Sequence, residues 1–162
     1  GQLWRALTAA QMARLQQPLE RILEAVYSMR DRTHCYILLD SLESVRRGGR
    51  VDRLMPTIDR VMRSLNLKAL INVVNGELKL VGVARSYQKG LERLKLEMAR
   101  IAPLERLAVI HTRRAEVARR MADELAAQLG FPREQVLVRE TGAVLAVHAG
   151  AGVTAVFGMS KA

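Results

Sequence analysis

Lys68-Ala69-Leu70-Ile71-Asn72-Val73-Val74-Asn75-Gly76-Glu77-Leu78-Lys79-Leu80-Val81-Gly82-Val83 decides how the rest of the chain is arranged. Two runs rich in Val, Leu and Ile flank an Asn-Gly pair. A type I′ turn needs positive φ at both central positions, and Asn and Gly adopt it at least cost, so the stretch predicts a β-hairpin. A hairpin commits the chain to a sheet, and the amphipathic segments on either side become helices that lie on it.

Upstream, Leu3, Trp4, Leu7, Ala10 and Leu15 recur at helical spacing and predict a helix over 3–14. A second helix follows over 18–31, with Pro18 in its first turn, where a missing N–H costs little. Its stripe is Leu19, Ile22, Leu23, Val26 and Met29, and Trp4 is expected to anchor against it. Residues 34–39 form a continuous apolar run, as expected of a central strand. Asp40 and Ser41 then offer capping side chains for a short helix from Leu42 to Arg47 that ends at Gly48. A further helix is expected from Asp52 to Leu65.

Downstream, Ser86 caps a helix to about Arg100, and Leu107–Ile110 reads as a short buried strand. Thr112 is placed to cap a helix from Arg113 to Leu129, which Gly130-Phe131-Pro132 stops. Three strands are expected in the tail, over Gln135–Glu140, Ala143–His148 and Val153–Met159. This order gives an α/β protein of the α+β type. Its simplest packing is a two-layer sandwich, one mixed sheet with helices on one face, forming a single domain over residues 1–162.

Composition narrows the function classes. Of the 162 residues, 49% are hydrophobic but only 4% aromatic, so the core is aliphatic and a stacking platform for single-stranded nucleic acid is disfavoured. The net charge of +10 favours an anionic partner without choosing among nucleic acid, acidic protein, membrane surface and small anion. One cysteine, Cys35, allows no internal disulfide, and with three separated histidines makes a zinc cluster improbable. This usage suits the cytoplasm. No apolar run approaches the ~18 residues of a membrane-spanning helix. The start, without an initiator Met, is that of a processed or excised piece.

Two glycine-bearing stretches are candidate sites. Arg46-Arg47-Gly48-Gly49-Arg50 sets arginines around a glycine pair, which can bring backbone and planar guanidinium forks close to a carboxylate or phosphate. A solvated basic turn is the simpler reading of the same residues. His148-Ala149-Gly150-Ala151-Gly152 places a histidine beside two glycines that leave room for an anion, and an ordinary strand connection explains it equally. It lacks the third glycine and following helix of a dinucleotide fingerprint. His34 and His111 read as structural or solvated. Asp40 and Glu43 are explained by a cap and a solvated carboxylate. No Ser has a nucleophile-elbow context and no His-Glu metal helix occurs, so the residues supply no constellation for a chemical step.

Three segments resemble a known family. Leu39-Asp40-Ser41-Leu42-Glu43-Ser44-Val45-Arg46-Arg47-Gly48-Gly49-Arg50-Val51 resembles the Leu-Asp-Thr-Leu-Glu-Tyr-Leu-Arg-Arg-Gly-Gly-Arg-Ile segment of DegV-family fatty-acid-binding proteins. Leu67 to Gly76, followed by Arg85, is similar to that family's hairpin and succeeding helix. Thr141-Gly142-Ala143-Val144 and then His148 to Gly152 resemble its closing Gly-Pro-Val … His-Thr-Gly-Pro-Gly pattern. Ser44 stands where the pattern has an aromatic, and Ala149 and Ala151 where it has Thr and Pro.

The resemblance covers almost the whole chain but only the C-terminal lobe of a two-lobed family protein. It implies about six strands in a mixed sheet with helices on one side, and a missing N-terminal lobe whose Ser and Thr hold most of the carboxylate of a long-chain fatty acid. It further implies that Arg50 lies near that carboxylate with His148 completing the polar network, that Gly48, Gly49, Gly150 and Gly152 support the two loops, and that Arg47 faces a partner. The loaded protein would present its acyl carboxylate to a separate fatty acid kinase, with no cofactor or metal of its own. Two other readings remain from the residues: a basic nucleic-acid-binding module, and an interaction domain related to dihydroxyacetone kinases.

Overall fold

A computed structural model describes residues 1–40, 67–74, 76–143, 146–147 and 150–162. The helices expected over 42–47 and 52–65 lie outside the described residues. The chain opens with α1 (Gln2–Arg14) and α2 (Leu19–Arg32), then enters β1 (Thr33–Leu39). The hairpin follows as β2 (Lys68–Val74) and β3 (Glu77–Ala84), then α3 (Tyr87–Arg100), β4 (Leu104–His111) and α4 (Ala115–Leu129). A 3-10 turn (Arg133–Gln135), β5 (Leu137–Glu140) and β6 (Thr154–Ser160) complete it.

The six strands form one sheet in the order β3-β2-β1-β6-β4-β5. Every pairing is antiparallel except β4 with β5, whose crossover is α4. The mixed sheet is therefore as expected, with β1 and β6 at its centre. The hairpin register sets Val74 opposite Glu77, and Gly76 has φ +81°, the left-handed conformation that the Asn-Gly pair was read to supply.

Strand alternation divides the apolar side chains between two faces. Tyr36, Leu38, Leu70, Leu107, Val109 and Val156 meet Leu91, Leu94 and Met98 of α3 and Met121 and Leu125 of α4. This is the main core, with α3 and α4 layered on one face of the sheet; helices on one face alone were expected, and α1 and α2 add a contact on the other. On the opposite face Ala108 and Met159 meet Trp4 of α1 and Met29 of α2, so Trp4 does anchor beside the second helix. The rest of that helical pair is less buried than its pattern suggested: Leu15 is 72% and Leu19 64% exposed, and Leu3, Leu7 and Leu23 are exposed with them.

Local chemistry sets the helix ends. Ser86 accepts a hydrogen bond from the Lys89 N–H at 3.2 Å, as expected of a cap. Gly130, at φ +59°, closes α4 in the left-handed conformation. Pro18 is the residue before α2 rather than within its first turn.

Three expectations need correction. Thr112 does not cap α4, because its hydroxyl lies 3.1 Å from that of Thr141. The N–H groups of the turn go elsewhere: Arg113 donates to Glu140 Oε1 at 3.1 Å and Arg114 to His111 Nδ1 at 3.3 Å. Of the strand expected over Ala143–His148, the described residues are not extended. Ala143, Ala146 and Val147 are helical, and the Ala146 and Gly150 N–H groups donate to the Gly142 and Ala146 carbonyls. A short apolar run fits either period, and here the local hydrogen bonds take the helical one. Finally, β4 is longer than Leu107–Ile110 and β5 shorter than Gln135–Glu140.

Candidate functional site

The polar end of the two central strands gathers side chains from five separate parts of the chain. Asp40 follows β1 directly. The antiparallel register of β1 with β2 brings Lys68 alongside, and its Nζ lies 2.9 Å from Asp40 Oδ1 and donates at 2.9 Å to the Asp40 carbonyl. Arg114, at the entry to α4, donates from Nη2 to Asp40 Oδ2 at 2.6 Å. Asp40 is thus a paired acceptor, and the helix it was expected to cap lies outside the described residues. Charge-assisted bonds of this kind are roughly twice as strong as neutral ones.

The Arg114 guanidinium also lies over the Tyr87 ring, 4.4 Å from its centroid. Tyr87 opens α3, and its hydroxyl donates to the Gly152 carbonyl at 2.7 Å. A phenol has one proton, and a carbonyl can only accept. The Thr154 hydroxyl, 2.7 Å away, therefore donates to Tyr87 Oη. Burial raises the Tyr87 phenol above its ordinary pKa, an effect the Thr154 bond and the Arg114 charge partly offset, so the hydroxyl remains a donor at neutral pH.

The loop into β6 is pressed onto this network. Gly152 donates to the Thr112 carbonyl at 3.0 Å and Thr112 to the Val153 carbonyl at 3.0 Å, which extends the β4–β6 ladder by one step. Gly152 has φ +83°, and a Cβ there would lie 2.8 Å from Asp40 Oδ2 and 3.2 Å from Arg114 Nη2. Glycine is thus required twice over, by backbone conformation and by contact with the ion pair. Gly150, at φ +82°, makes the turn before it.

Of the residues expected at the ligand site, Gly150 and Gly152 fall within this description. Arg47, Gly48, Gly49, Arg50 and His148 lie outside the described residues. His111 is buried, and its Nδ1 accepts from the Arg114 N–H, in keeping with a structural role. Sequence reasoning passed over Lys68, Tyr87 and Arg114, which are far apart in the chain and carry no shared motif. Among the described residues no three His, Cys, Asp or Glu side chains are grouped as a metal site, and no helix is long and apolar enough to cross a membrane.

A mixed six-stranded sheet with helices packed on it, and a hydrogen-bonded polar network at one end of its central strands, defines an α/β domain. The chain belongs to the DegV family: the family's model, described as "Uncharacterised protein, DegV family", matches residues 1–161. A DegV domain-containing protein of Streptococcus pyogenes is 28% identical over 155 residues, 94% of this chain and 53% of the relative. The crystal structure of DegV, a fatty acid binding protein from Bacillus subtilis, matches 99% of this chain and 56% of its own, with TM-score 0.80 and 25% identity. The Streptococcus pneumoniae Fatty Acid Kinase (Fak) B3 protein, loaded with linoleic acid, shares the fold at TM-score 0.82 and 14% identity, over 98% of this chain and 55% of its own. The chain spans about half the length of the curated relatives it matches.

Proposed function

We propose that this chain is the C-terminal lobe of a two-lobed carrier of long-chain fatty acids, in which it contributes Arg50 and His148 to the polar end of the ligand site. The observation that carries the reading is the match to the fatty-acid-binding DegV of Bacillus subtilis over nearly the whole chain. The local geometry supports it. The segment bearing Arg50 leaves the sheet at Asp40, and the segment bearing His148 returns to it at Gly152, and these two residues are in contact. A cationic and an imidazole side chain are the chemistry that suits a carboxylate head group.

Energetically the tail dominates, since each buried methylene contributes about 0.8 kcal/mol. The head-group contacts then fix direction and expose the carboxylate at one end. A bound acid so oriented is a substrate for a separate kinase, and the likeness in fold to the pneumococcal Fak B3 protein supports that partner. The chain itself binds and presents. No cofactor enters this scheme.

The test is extraction of the full-length protein followed by mass spectrometry, and titration with oleate. Co-purifying acyl chains or uptake of oleate support the reading; absence of both overturns it. Residues 1–162 alone are expected to bind oleate at least ~100-fold more weakly than the full-length protein, because the partner lobe supplies much of the apolar contact. Equal affinities would show that this lobe is sufficient.

A further inference from the structure

We propose that two copies of this chain associate through the outer face of α2, packed antiparallel about a two-fold axis level with Ala25; the inference goes beyond the fatty-acid reading and does not depend on it. Glu20, Leu23, Tyr27 and Arg30 recur at i, i+3, i+7 and i+10, so they share one stripe of the helix. At 3.6 residues per turn the stripe lies roughly 100–180° around α2 from Met29, which is buried against the sheet. All four residues are exposed, Leu23 at 42% and Tyr27 at 52%. The apolar middle of the stripe therefore faces away from the domain.

The order of residues along the stripe identifies the occupant as a second copy. An acid stands at one end, two apolar residues in the middle and an arginine at the other end. A two-fold interface brings residue i of one copy onto residue j of the other, and j onto i. With the two helices antiparallel about the level of Ala25, Glu20 meets Arg30 of the other copy and Leu23 meets Tyr27, each contact being made twice. A parallel pairing would set Glu20 on Glu20 and Arg30 on Arg30, and like charges repel. The charges are available for the antiparallel arrangement. Glu20 makes no ion pair with the described residues. Arg30 sits over the Tyr27 ring, 5.2 Å from its centroid, and its Nε donates to Asp31 at 2.9 Å, with both side chains more than half exposed. A guanidinium has five donors, so this bond leaves others for a second carboxylate. The stripe from Glu20 to Arg30 is about 15 Å long, and a helix pair of that length is a small interface. Association is accordingly weak and reversible. Burial of Leu23 and Tyr27 supplies the affinity, and the two exposed ion pairs, each worth little, set the direction.

Sedimentation equilibrium of the full-length protein tests the inference. A monomer–dimer equilibrium is expected, with a dissociation constant on the order of tens of micromolar. Leu23→Glu should raise that constant at least ~tenfold, because it sets a charge in the apolar middle of each copy. Glu20→Arg and Arg30→Glu should each weaken self-association about tenfold, since each opposes like charges at both ends of the pair. Mixed in equal amounts, these two variants should form a heterodimer at close to wild-type affinity, because the mixture restores both charge pairs. Circular dichroism checks that each variant keeps the fold. A full-length protein that stays monomeric up to about ten times the expected constant overturns the inference, whether the rest of the chain or another protein covers α2. So does a dimer that Leu23→Glu leaves intact, or a mixture of the two charge variants that associates no better than either alone. Oleate does not enter the measurement, so failure here leaves the fatty-acid reading standing.

Discussion

Gly90 offers a test in which two opposing effects can be weighed before the measurement. It lies inside α3, where alanine is favoured over glycine by about 0.8–1.0 kcal/mol of helix propensity. On that ground alone Gly90→Ala should stabilise the protein. The packing argues otherwise. A Cβ at this position would overlap Leu38 Cδ1 and lie 2.8 Å from Cδ2 and 3.2 Å from Cγ. Leu38 is 0% exposed on a central strand, so the clash cannot be relieved into solvent. Overpacking of this kind costs about 1–3 kcal/mol. The net expectation is a loss on the order of 1 kcal/mol, or a fall in Tm of about 2–4 °C for a chain of this size. Thermal unfolding followed by circular dichroism on residues 1–162 reads it. Leu38→Val, which pulls the obstructing methyls back, supplies the control. Combined with Gly90→Ala it should show a favourable coupling of at least ~0.5 kcal/mol, since the two sites touch. A Gly90→Ala variant more stable than wild type by the propensity difference, or a double variant whose losses simply add, would refute the packing argument.

The remaining expectations use the same assay or a simple chemical one. Gly152→Ala is expected to lose about 2–4 kcal/mol, from a left-handed backbone and from contact with the Asp40–Arg114 pair; Gly76→Ala, at φ +81° with nothing within 4 Å of its Cβ, should lose only the backbone part of about 1–2 kcal/mol. Equal losses at both glycines would remove the role given to the ion pair. Ser86→Ala should cost about 1 kcal/mol through loss of the α3 cap, with Ser86→Asp largely retaining it. Burial pushes the Cys35 thiol up to about 12 from its ordinary 9.0, partly offset by the amino terminus. The unfolded chain then releases that proton at lower pH than the native one, so the native state binds more protons between about 9 and 12 and its stability falls as pH rises through that window. Cys35→Ala should flatten that part of the pH profile, and an unchanged profile would show that Cys35 does not govern it.

Much of the fold was legible because its signals are local. The Asn-Gly pair, the Ser86 cap and Gly130 each act within a few residues of themselves, and the hairpin, the start of α3 and the end of α4 follow. What failed was decided by partners far along the chain. Thr112 had the side chain of a cap, but Thr141 engages its hydroxyl, and His111 and Glu140 satisfy the N–H groups a cap would have served. The apolar run from Ala143 is too short to distinguish the two periods, and local bonds from the Ala146 and Gly150 N–H groups to the Gly142 and Ala146 carbonyls decide it. The apolar stripes on α1 and α2 were read from helical spacing, yet such spacing states only that a face carries apolar residues. It does not say what covers it, and of the residues on those stripes Trp4 and Met29 are the ones buried against the sheet.

The candidate site divides along the same line. Arg50 and His148 stood out because glycines sit beside them in the sequence. The network around Asp40 stood out in nothing, because residues 40, 68, 87, 114 and 152 meet only once the elements that carry them are in place. Asp40 shows why composition misleads at such a point. After a strand and before a serine, an aspartate has every mark of a cap, and a solvated carboxylate there would carry no information about function. In the folded chain the same carboxylate accepts from Arg114 and Lys68, and the backbone of Gly152 rests against it. Gly152 accordingly changes meaning. Read alone, it is a turn residue; read beside Asp40 and Arg114, it is the place where the loop leading from His148 is pressed onto an ion pair. Motifs mark the groups that touch a ligand, because those groups must be of one chemical type. A hydrogen-bonded network depends instead on contacts between residues distant in the chain, which no residue name announces.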